Sequence, residues 1–349
     1  MIIKNKNIAL VSDFSSKMKN PNNILEIENL HTYFYTDHGT VKAVNGISFD
    51  IPKGSTVGIV GESGCGKSVT SLSVLRLLQE PAARIADGSI RYDSEEGCVD
   101  ITKMPVKTMK NIRGREISMI FQEPMQSLNP VFTVGNQIDE VFILHNGCSK
   151  RQAKQATLEL LFSVGIKRRE TVYKNYPHQL SGGMRQRIMI AMAVACRPKL
   201  IIADEPTTAL DVTVKAQILS LLKDIKIKTN CSLLLITHDL GVVAEMADYI
   251  IVMYAGKIVE KGRADEVMHN PKHPYTVGLM KSNPSLTEQT DRLYGIPGNV
   301  PKPVNLPDSC YFKDRCEYKH EKCCGKYPKM VKLSNTHHAA CYLCEKRAD

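Results

Sequence analysis

The spacing of hydrophobic residues changes repeatedly along the chain. Short apolar runs at positions 55–60, 200–203 and 232–237 are bounded by polar residues. Runs of this length without alternation are typical of strands that are buried on both faces of a parallel sheet. Because stretches with helical spacing separate these runs, the pattern predicts an α/β domain over residues 24–268.

One part of this domain is expected to be helical. Residues 149–164 show the pattern of an amphipathic helix, and Ser149 stands where an N-cap is expected. A second helix is predicted over residues 183–196. We therefore predict a helical subdomain at about residues 123–198, inserted in the α/β domain.

The two ends of the chain differ from the middle. Residues 1–23 are polar and without a period, which predicts a flexible N-terminal arm, with Met18 as an alternative start. Beyond residue 268, proline and glycine recur in the way that is typical of loops. We predict a separate loop-rich extension over residues 269–349, which contains six of the eleven cysteines.

Composition and charge exclude few of the functional classes that a protein of this length could belong to. Of 349 residues, 43% are hydrophobic and 23% are charged, as in ordinary globular proteins. The formal net charge of +10 fits a lysine-rich surface or an anionic partner such as nucleotide, lipid headgroups or nucleic acid. No apolar run approaches the roughly 20 residues of a membrane-spanning helix, and the first residues lack the pattern of a signal peptide. Contact with a membrane would therefore require a partner.

A glycine-rich motif follows the first apolar run. It consists of Gly61, Glu62, Ser63, Gly64, Cys65, Gly66, Lys67 and Ser68, and it fits the phosphate-binding P-loop pattern between a strand and a helix. Glycines let successive backbone N–H groups turn towards phosphate oxygens, and the start of the helix adds its positive end. Lys67 would reach the β- and γ-phosphates, and the Ser68 hydroxyl suits Mg²⁺.

Two further patterns have acidic or anion-binding character. Asp204 and Glu205 follow the run at 200–203, at the sheet edge where ligands bind in open α/β folds. There Asp204 would support Mg²⁺, and Glu205 would polarise an attacking water molecule. Ser181, Gly182 and Gly183 open the second predicted helix, where free N–H groups make an anion site. Gln122, Asp211 and His238 also follow apolar or acidic stretches, and each alone is a weak signal.

The order of these parts resembles that of the ABC transporter ATPases. Between about residues 25 and 262, a P-loop is followed by glutamine, the Ser-Gly-Gly turn, the acidic pair, aspartate and histidine. The resemblance implies an α/β P-loop NTPase sheet with a helical subdomain, and hydrolysis of ATP with Mg²⁺. Met184 replaces the glutamine that ends the family's signature sequence, which leaves the phosphate-binding N–H groups in place.

The resemblance also implies roles for individual residues. Its nucleotide-binding positions correspond here to Gly61, Glu62, Ser63, Gly64, Cys65, Gly66, Lys67, Ser68, Val69, Gln122, Ser181, Gly182, Gly183 and Asp211. Its Mg²⁺ positions correspond to Ser68, Gln122 and Asp204, and its catalytic positions to Lys67, Gln122, Glu205 and His238. The aromatic ring that stacks on adenine is expected to be Phe34, with Tyr35 as the second choice.

Partners follow from the same resemblance. In this family the signature helix of one ATPase meets the P-loop of another, and this chain has one set of motifs. A second ABC ATPase subunit is therefore implied. The resemblance also implies two transmembrane permease subunits, an extracellular substrate-binding protein and a peripheral position at the cytoplasmic face of the cell membrane. Nucleic acid is not expected as a partner.

Three segments resemble the oligopeptide/dipeptide branch of the family. They are residues 121–130, 273–276 and 295–316. They favour ATP-driven import of dipeptides or oligopeptides, with a nickel or other small-solute importer as the alternative. A soluble ABC-type ATPase acting on nucleic acid or the ribosome fits the charge, but the single motif set disfavours it. The presence of Glu205 and His238 disfavours a non-catalytic subunit.

The cysteines of the extension need a separate explanation. Cys310, Cys316, Cys323 and Cys341 share the four-cysteine pattern of the similar extensions, which implies a [4Fe–4S] cluster. Cys324 is an alternative to Cys323, and Cys344 is a further thiol. A zinc site and the absence of any metal are the other interpretations.

Overall fold

The computed structural model describes residues 11–123, 127–208, 210–282 and 294–345. Its strands are β1 Asn23–Thr36, β2 Gly39–Pro52, β3 Thr56–Val60, β4 Ala83–Ser94, β5 Gly97–Asp100, β6 Ile117–Ile120, β7 Leu200–Asp204, β8 Ser232–Thr237, β9 Tyr249–Tyr254, β10 Lys257–Arg263, β11 Val331–Lys332 and β12 His338–Ala339. Its α-helices are α1 Lys67–Val74, α2 Val134–Asn146, α3 Lys150–Ser163, α4 Arg169–Lys174, α5 Gly182–Val194, α6 Val212–Thr229, α7 Leu240–Met246, α8 Ala264–His269, α9 Pro274–Lys281 and α10 Tyr342–Glu345.

A mixed eight-stranded sheet forms the centre of the fold. Its order is β11-β12-β10-β9-β3-β8-β7-β6, and β9, β3, β8, β7 and β6 run parallel. Every residue of β3, β7 and β8 is buried, because helices and a second sheet cover the two faces. The apolar runs of the sequence therefore form the parallel strands that they predicted.

An antiparallel sheet packs against this centre. Its order is β2-β1-β4-β5, and β1 and β2 are paired over most of their lengths. One apolar core joins the two sheets and includes Leu25, Ile47, Ile59 and Leu234. This packing brings β2 against the loop that follows β3, which is the predicted P-loop.

A second core lies between helices α2 to α6 and the central sheet. Helix α3 begins after Ser149, which is its N-cap as the sequence predicted. The structure adds a capping box between Ser149 and Gln152. The carboxylate of Asp139 on α2 accepts hydrogen bonds from Thr157 Oγ1 and Tyr173 Oη, each at 2.5 Å. Burial and this carboxylate raise the pKa of Tyr173 to about 12. Asp139 therefore links three helices.

Part of the predicted N-terminal arm is packed rather than free. Val11 is buried in the core of the two sheets, and the Ser16 N–H donates to the carbonyl of Cys98 on β5. A single apolar residue gives no period from which this contact could be read. Residues 1–10 lie outside the described part of the chain.

The carboxylate of Glu260 joins β10 to the C-terminal residues. It is fully buried and accepts hydrogen bonds from the backbone N–H groups of Lys272 and His273, at 2.7 and 2.9 Å. His337 Nε2 lies 2.7 Å from the same carboxylate. Because β12 also pairs with β10, these contacts fix the C-terminal segment to the edge of the central sheet.

We expect Glu260→Gln to lower the free energy of unfolding by about 2–3 kcal/mol, because an amide cannot replace a carboxylate that accepts three hydrogen bonds. The measurement is urea denaturation followed by circular dichroism. The control is Glu170→Gln on the exposed surface of α4, which should change stability by less than about 0.5 kcal/mol. Equal effects of the two substitutions would show that Glu260 has no special structural role.

Candidate functional site

The loop between β3 and α1 has the conformation of a phosphate-binding turn. Gly61 and Gly66 have φ angles of +154° and +102°. A Cβ atom would lie 2.2 Å from the Met253 carbonyl oxygen at Gly61, and 2.3 Å from the Ala43 carbonyl oxygen at Gly66. Both positions therefore require glycine, for conformation and for space. The loop leads into the first turn of α1, whose N–H groups have no acceptor within the helix.

Lys67 lies inside this loop. Its ammonium group donates to the carbonyl oxygens of Gly61 and Glu62, at 2.7 and 3.0 Å. The residue is buried, so the positive charge is held beside the turn and is poorly screened by water. Together with the helix N-terminus, it makes the loop suited to a polyphosphate.

Asp204 provides the features expected of a Mg²⁺ site. Asp204 is the last residue of β7 and is buried, and its Oδ1 atom has no hydrogen-bond partner. Burial raises the pKa of this carboxyl group, although the Ser68 hydroxyl donates to it. A buried oxygen without a donor, next to a hydroxyl group at the P-loop, fits a hard cation that takes oxygen ligands. The predicted pair Ser68 and Asp204 is thus brought together.

Glu205 is the centre of a second set of contacts. One carboxylate oxygen, Oε2, lies 3.2 Å from Gln122 Nε2, 3.2 Å from His238 Nδ1 and 2.8 Å from Thr208 Oγ1. The backbone is held by the Glu205 N–H, which donates to the Ile236 carbonyl on β8. Three residues predicted separately from the sequence thus meet at one atom. Thr208 was not predicted, and its only sequence signal is a hydroxyl three positions after the glutamate.

The strand register explains this convergence. Val60 pairs with Thr237, and Asp204 pairs with Ile236, so β3, β8 and β7 end side by side. The loop glycine, the acidic pair and the histidine follow at these ends. The arrangement can bind a phosphate chain, hold a divalent cation and orient a water molecule near a carboxylate.

The Ser-Gly-Gly turn and Asp211 form a separate group. Ser181 caps α5 and accepts the Met184 N–H at 3.4 Å, while Asp211 caps α6 and accepts the Val214 N–H at 2.9 Å. Helix α6 packs closely on this turn, because a Cβ atom on Gly183 would lie 2.8 Å from the Val214 side chain. The α5 helix begins at Gly182, as the sequence predicted to within one residue.

The two candidate adenine-stacking rings have different surroundings. Phe34 is half-buried on β1 and pairs with Val41, two residues before Ala43, whose carbonyl faces Gly66. Tyr35 is exposed, and the Arg84 guanidinium lies 4.5 Å from its ring centroid. Phe34 is therefore on a strand pair that reaches the P-loop, while one face of Tyr35 already has a partner.

The cysteines of the C-terminal segment lie near one another. The Cys310 N–H donates to the Cys323 carbonyl at 3.1 Å. Burial raises the pKa of the Cys310 thiol to about 11 and also raises the pKa of Cys316, and neighbouring thiols, including that of Cys341, add to both effects. Yet within the described ranges no three histidine, cysteine or acidic side chains are placed to hold a metal ion. The prediction of a [4Fe–4S] cluster therefore gains no support from the structure.

Sequence reasoning also missed two residues that contact the P-loop. The Glu62 N–H donates to Tyr275 Oη at 2.8 Å, and the Glu62 carboxylate accepts two hydrogen bonds from Arg315, at 2.6 and 2.9 Å. Glu62 was predicted to be a nucleotide-binding residue, and here its polar groups are engaged by the C-terminal segment. No spacing signal could have shown contacts across 213 and 253 residues.

Among the residues that the structure describes, no helix has the length and apolarity required to cross a membrane.

Comparisons with known proteins match these features. A family model described as "ABC transporter" matches residues 44–208, and one described as "Oligopeptide/dipeptide transporter, C-terminal region" matches residues 259–323. The oligopeptide transport ATP-binding protein AppD of Bacillus subtilis is 50% identical over 93% of this chain and 97% of its own length. The dipeptide transport ATP-binding protein DppD of the same organism is 48% identical over 93% of this chain and 96% of its own.

A solved structure shows the same fold. The ATP-binding cassette MJ0796, described as a dimer in a post-hydrolysis state with ADP and Pi, superposes with a TM-score of 0.61 at 26% identity. The match covers 69% of this chain and 98% of that chain. The ABC ATPase fold that was predicted is therefore confirmed. With near-half identity to its relatives over almost the whole length, the chain belongs to the ABC transporter family of ATP-binding proteins.

Proposed function

We propose that this chain binds ATP with Mg²⁺ and hydrolyses ATP to power the import of dipeptides or oligopeptides. The observation that carries the proposal is the meeting of Gln122, Thr208 and His238 at one oxygen of Glu205, next to the P-loop and Asp204. The substrate class is supported by the relatives, whose names are those of oligopeptide and dipeptide transport proteins, and by the matching C-terminal region.

Each group has a distinct task in this proposal. Lys67 and the N–H groups of residues 64–69 bind the phosphates, and Phe34 stacks on the adenine. Mg²⁺, held by Ser68, Asp204 and Gln122, would neutralise charge that develops on the phosphates. Glu205 accepts a proton from the attacking water molecule, and His238 and Gln122 orient that carboxylate and the γ-phosphate.

The separate position of Ser181, Gly182, Gly183 and Asp211 supports a site shared between two chains. A turn with free N–H groups, held against α6 by Val214, would bind the phosphates of ATP on a second ABC ATPase subunit. The remaining proposed partners are two permease subunits and an extracellular substrate-binding protein. The chain would then lie peripherally at the cytoplasmic face of the membrane, through the permeases.

The domain organisation is proposed on the same basis. Residues 24–268 form the nucleotide-binding domain, with the helical subdomain at about 123–198. Residues 269–349 form the transporter-type extension, and the arm precedes residue 24. The α/β core supplies the P-loop and Glu205, and the helical subdomain supplies the signature turn, which supports this division.

We expect Lys67→Ala and Glu205→Gln to separate binding from hydrolysis. In the assembled transporter, Glu205→Gln should lower ATPase activity at least about 100-fold, because the carboxylate that accepts the proton is lost. It should still bind a fluorescent ATP analogue, whereas Lys67→Ala should bind it weakly. The control is Lys167→Ala, an exposed lysine of the helical subdomain. Full activity of Glu205→Gln would exclude the proposed role of this carboxylate.

The substrate class has its own test. In proteoliposomes with the permeases and the binding protein, we expect ATPase activity to rise several-fold, about the range of ordinary allosteric coupling, when a mixture of di- to pentapeptides is added. Equimolar Ni²⁺ should give no increase. Stimulation by Ni²⁺ alone would instead identify a nickel importer and leave the ATPase assignment intact.

The [4Fe–4S] cluster is kept as a hypothesis that rests on the four-cysteine spacing, with thiolates as a donor set that such clusters use. We expect anaerobically purified protein to contain about four iron atoms per chain and to absorb near 400 nm. Cys316→Ser should lower the iron content, and the control Cys98→Ser, at a free cysteine of β5 outside the extension, should not. Iron-free wild-type protein would show that the hypothesis is wrong.

A further inference from the structure

Glu62 places a negative charge inside a loop that is built to bind anions. Its backbone carbonyl accepts a hydrogen bond from Lys67, and its side chain is about one-third exposed, at 29%. An unpaired carboxylate at this point would repel the phosphates of a nucleotide, because the buried surroundings screen charge poorly. The loop therefore needs a compensating positive charge that is not itself used to bind phosphate.

Arg315 supplies that charge in a fixed geometry. Its side chain is 6% exposed, and it forms a two-bond pair with the Glu62 carboxylate. The same guanidinium donates to the carbonyl oxygens of Pro297 and Ile296, at 2.7 and 3.2 Å, so every part of it is engaged. A paired and fully bonded guanidinium is held in one orientation, as in other bidentate arginine–carboxylate pairs.

Tyr275 holds the backbone of the same residue. Its hydroxyl accepts the Glu62 N–H, and its buried ring packs against Tyr254 and Phe312, with centroids 4.7 and 5.4 Å apart. Tyr254 Oη also lies 3.4 Å from Arg315. One aromatic cluster thus positions both groups that hold Glu62, and most of it comes from the segment after residue 273.

We propose that Arg315 and Tyr275 are positioning residues of the nucleotide site: Arg315 neutralises Glu62, and both fix the first half of the P-loop for ATP. Neither residue touches the proposed catalytic atoms, so neither is a catalytic residue. The proposal rests on the proposed ATP-binding function and goes beyond it, because it makes the C-terminal segment part of the nucleotide site. By linkage, nucleotide binding must in turn affect the contacts of that segment.

The test is a charge-compensation cycle, with the dissociation constant of a fluorescent ATP analogue measured on the full-length chain. Arg315→Ala should raise the dissociation constant about tenfold, within the usual range of coupling between sites. The double variant Arg315→Ala with Glu62→Gln should return to within about threefold of the wild type, because the unpaired charge is gone. Tyr275→Phe keeps the ring and removes only the hydroxyl, and we expect a smaller increase. Lys319→Ala is the control, since Lys319 pairs with Asp314 on the exposed surface of the same segment.

The outcomes separate this inference from the function on which it rests. If the wild type binds the analogue and Arg315→Ala binds it equally well, the inference is overturned and the ATPase assignment stands. If the double variant is as weak as Arg315→Ala, or if Lys319→Ala is equally weak, Arg315 has only a structural role. Should Arg315→Ala fail to fold, Arg315→Lys is the second variant, because it keeps the charge without the two-bond geometry. It should raise the dissociation constant less than threefold, roughly 0.6 kcal/mol. A larger increase in the dissociation constant would contradict charge neutralisation. Failure of the wild type to bind any nucleotide would overturn the proposed function itself.

Discussion

The parallel pairing of β8 with β3 on one side and β7 on the other is the constraint on which the site depends. Because Val60 pairs with Thr237 and Asp204 pairs with Ile236, the residues that follow these strands emerge at one edge of the sheet. Gly61, Glu205 and His238 are far apart in sequence, and the register alone makes them neighbours. A shift of one residue in this pairing would exchange the side chains that face the two cores on opposite sides of the sheet. The buried apolar side chains of the three strands oppose such a shift, so the core and the site are specified by the same residues.

The candidate site residues form two groups, and each group packs against a different part of the chain. The P-loop, Asp204 and Glu205 lie at the end of the sheet, whereas Ser181 and Asp211 cap two helices that pack on each other. Each cap satisfies its own helix start and leaves further N–H groups free for an anion. The close packing of Gly183 on Val214 means that the two helix starts should move as one body. In the proposed function, such a unit would close on a nucleotide bound by a second subunit, and its reopening after hydrolysis would be a shift between two states.

Whether a feature could be predicted from the sequence depends on how far apart along the chain the interacting residues lie. The Ser149 cap, the α5 start and the buried strands are set by neighbouring residues, and the pattern shows them directly. The convergence on Glu205 follows from the order of strand ends, which the family resemblance supplies. Tyr275 and Arg315 were not predicted because nothing local marks a side chain whose partner lies on a distant segment. Thr208 was not predicted because a hydroxyl three positions after Glu205 is its only local signal. The burial of Val11 was not predicted because a single apolar residue shows no periodicity. The cysteine spacing, by contrast, suggested a metal site that the placement of these side chains does not show.

The energetics of the Glu62–Arg315 pair favour an effect on the site rather than on stability. Removing two charges from water costs several kcal/mol per ion, and their attraction does little more than offset that cost. An apolar pair of similar volume would hold the segment at least as well. The contribution of Arg315 is instead to offset the charge of the Glu62 carboxylate in the P-loop, while the Tyr275 hydroxyl holds the Glu62 backbone N–H. If Arg315 neutralises Glu62 as proposed, the charge at the P-loop depends on how the C-terminal segment is packed.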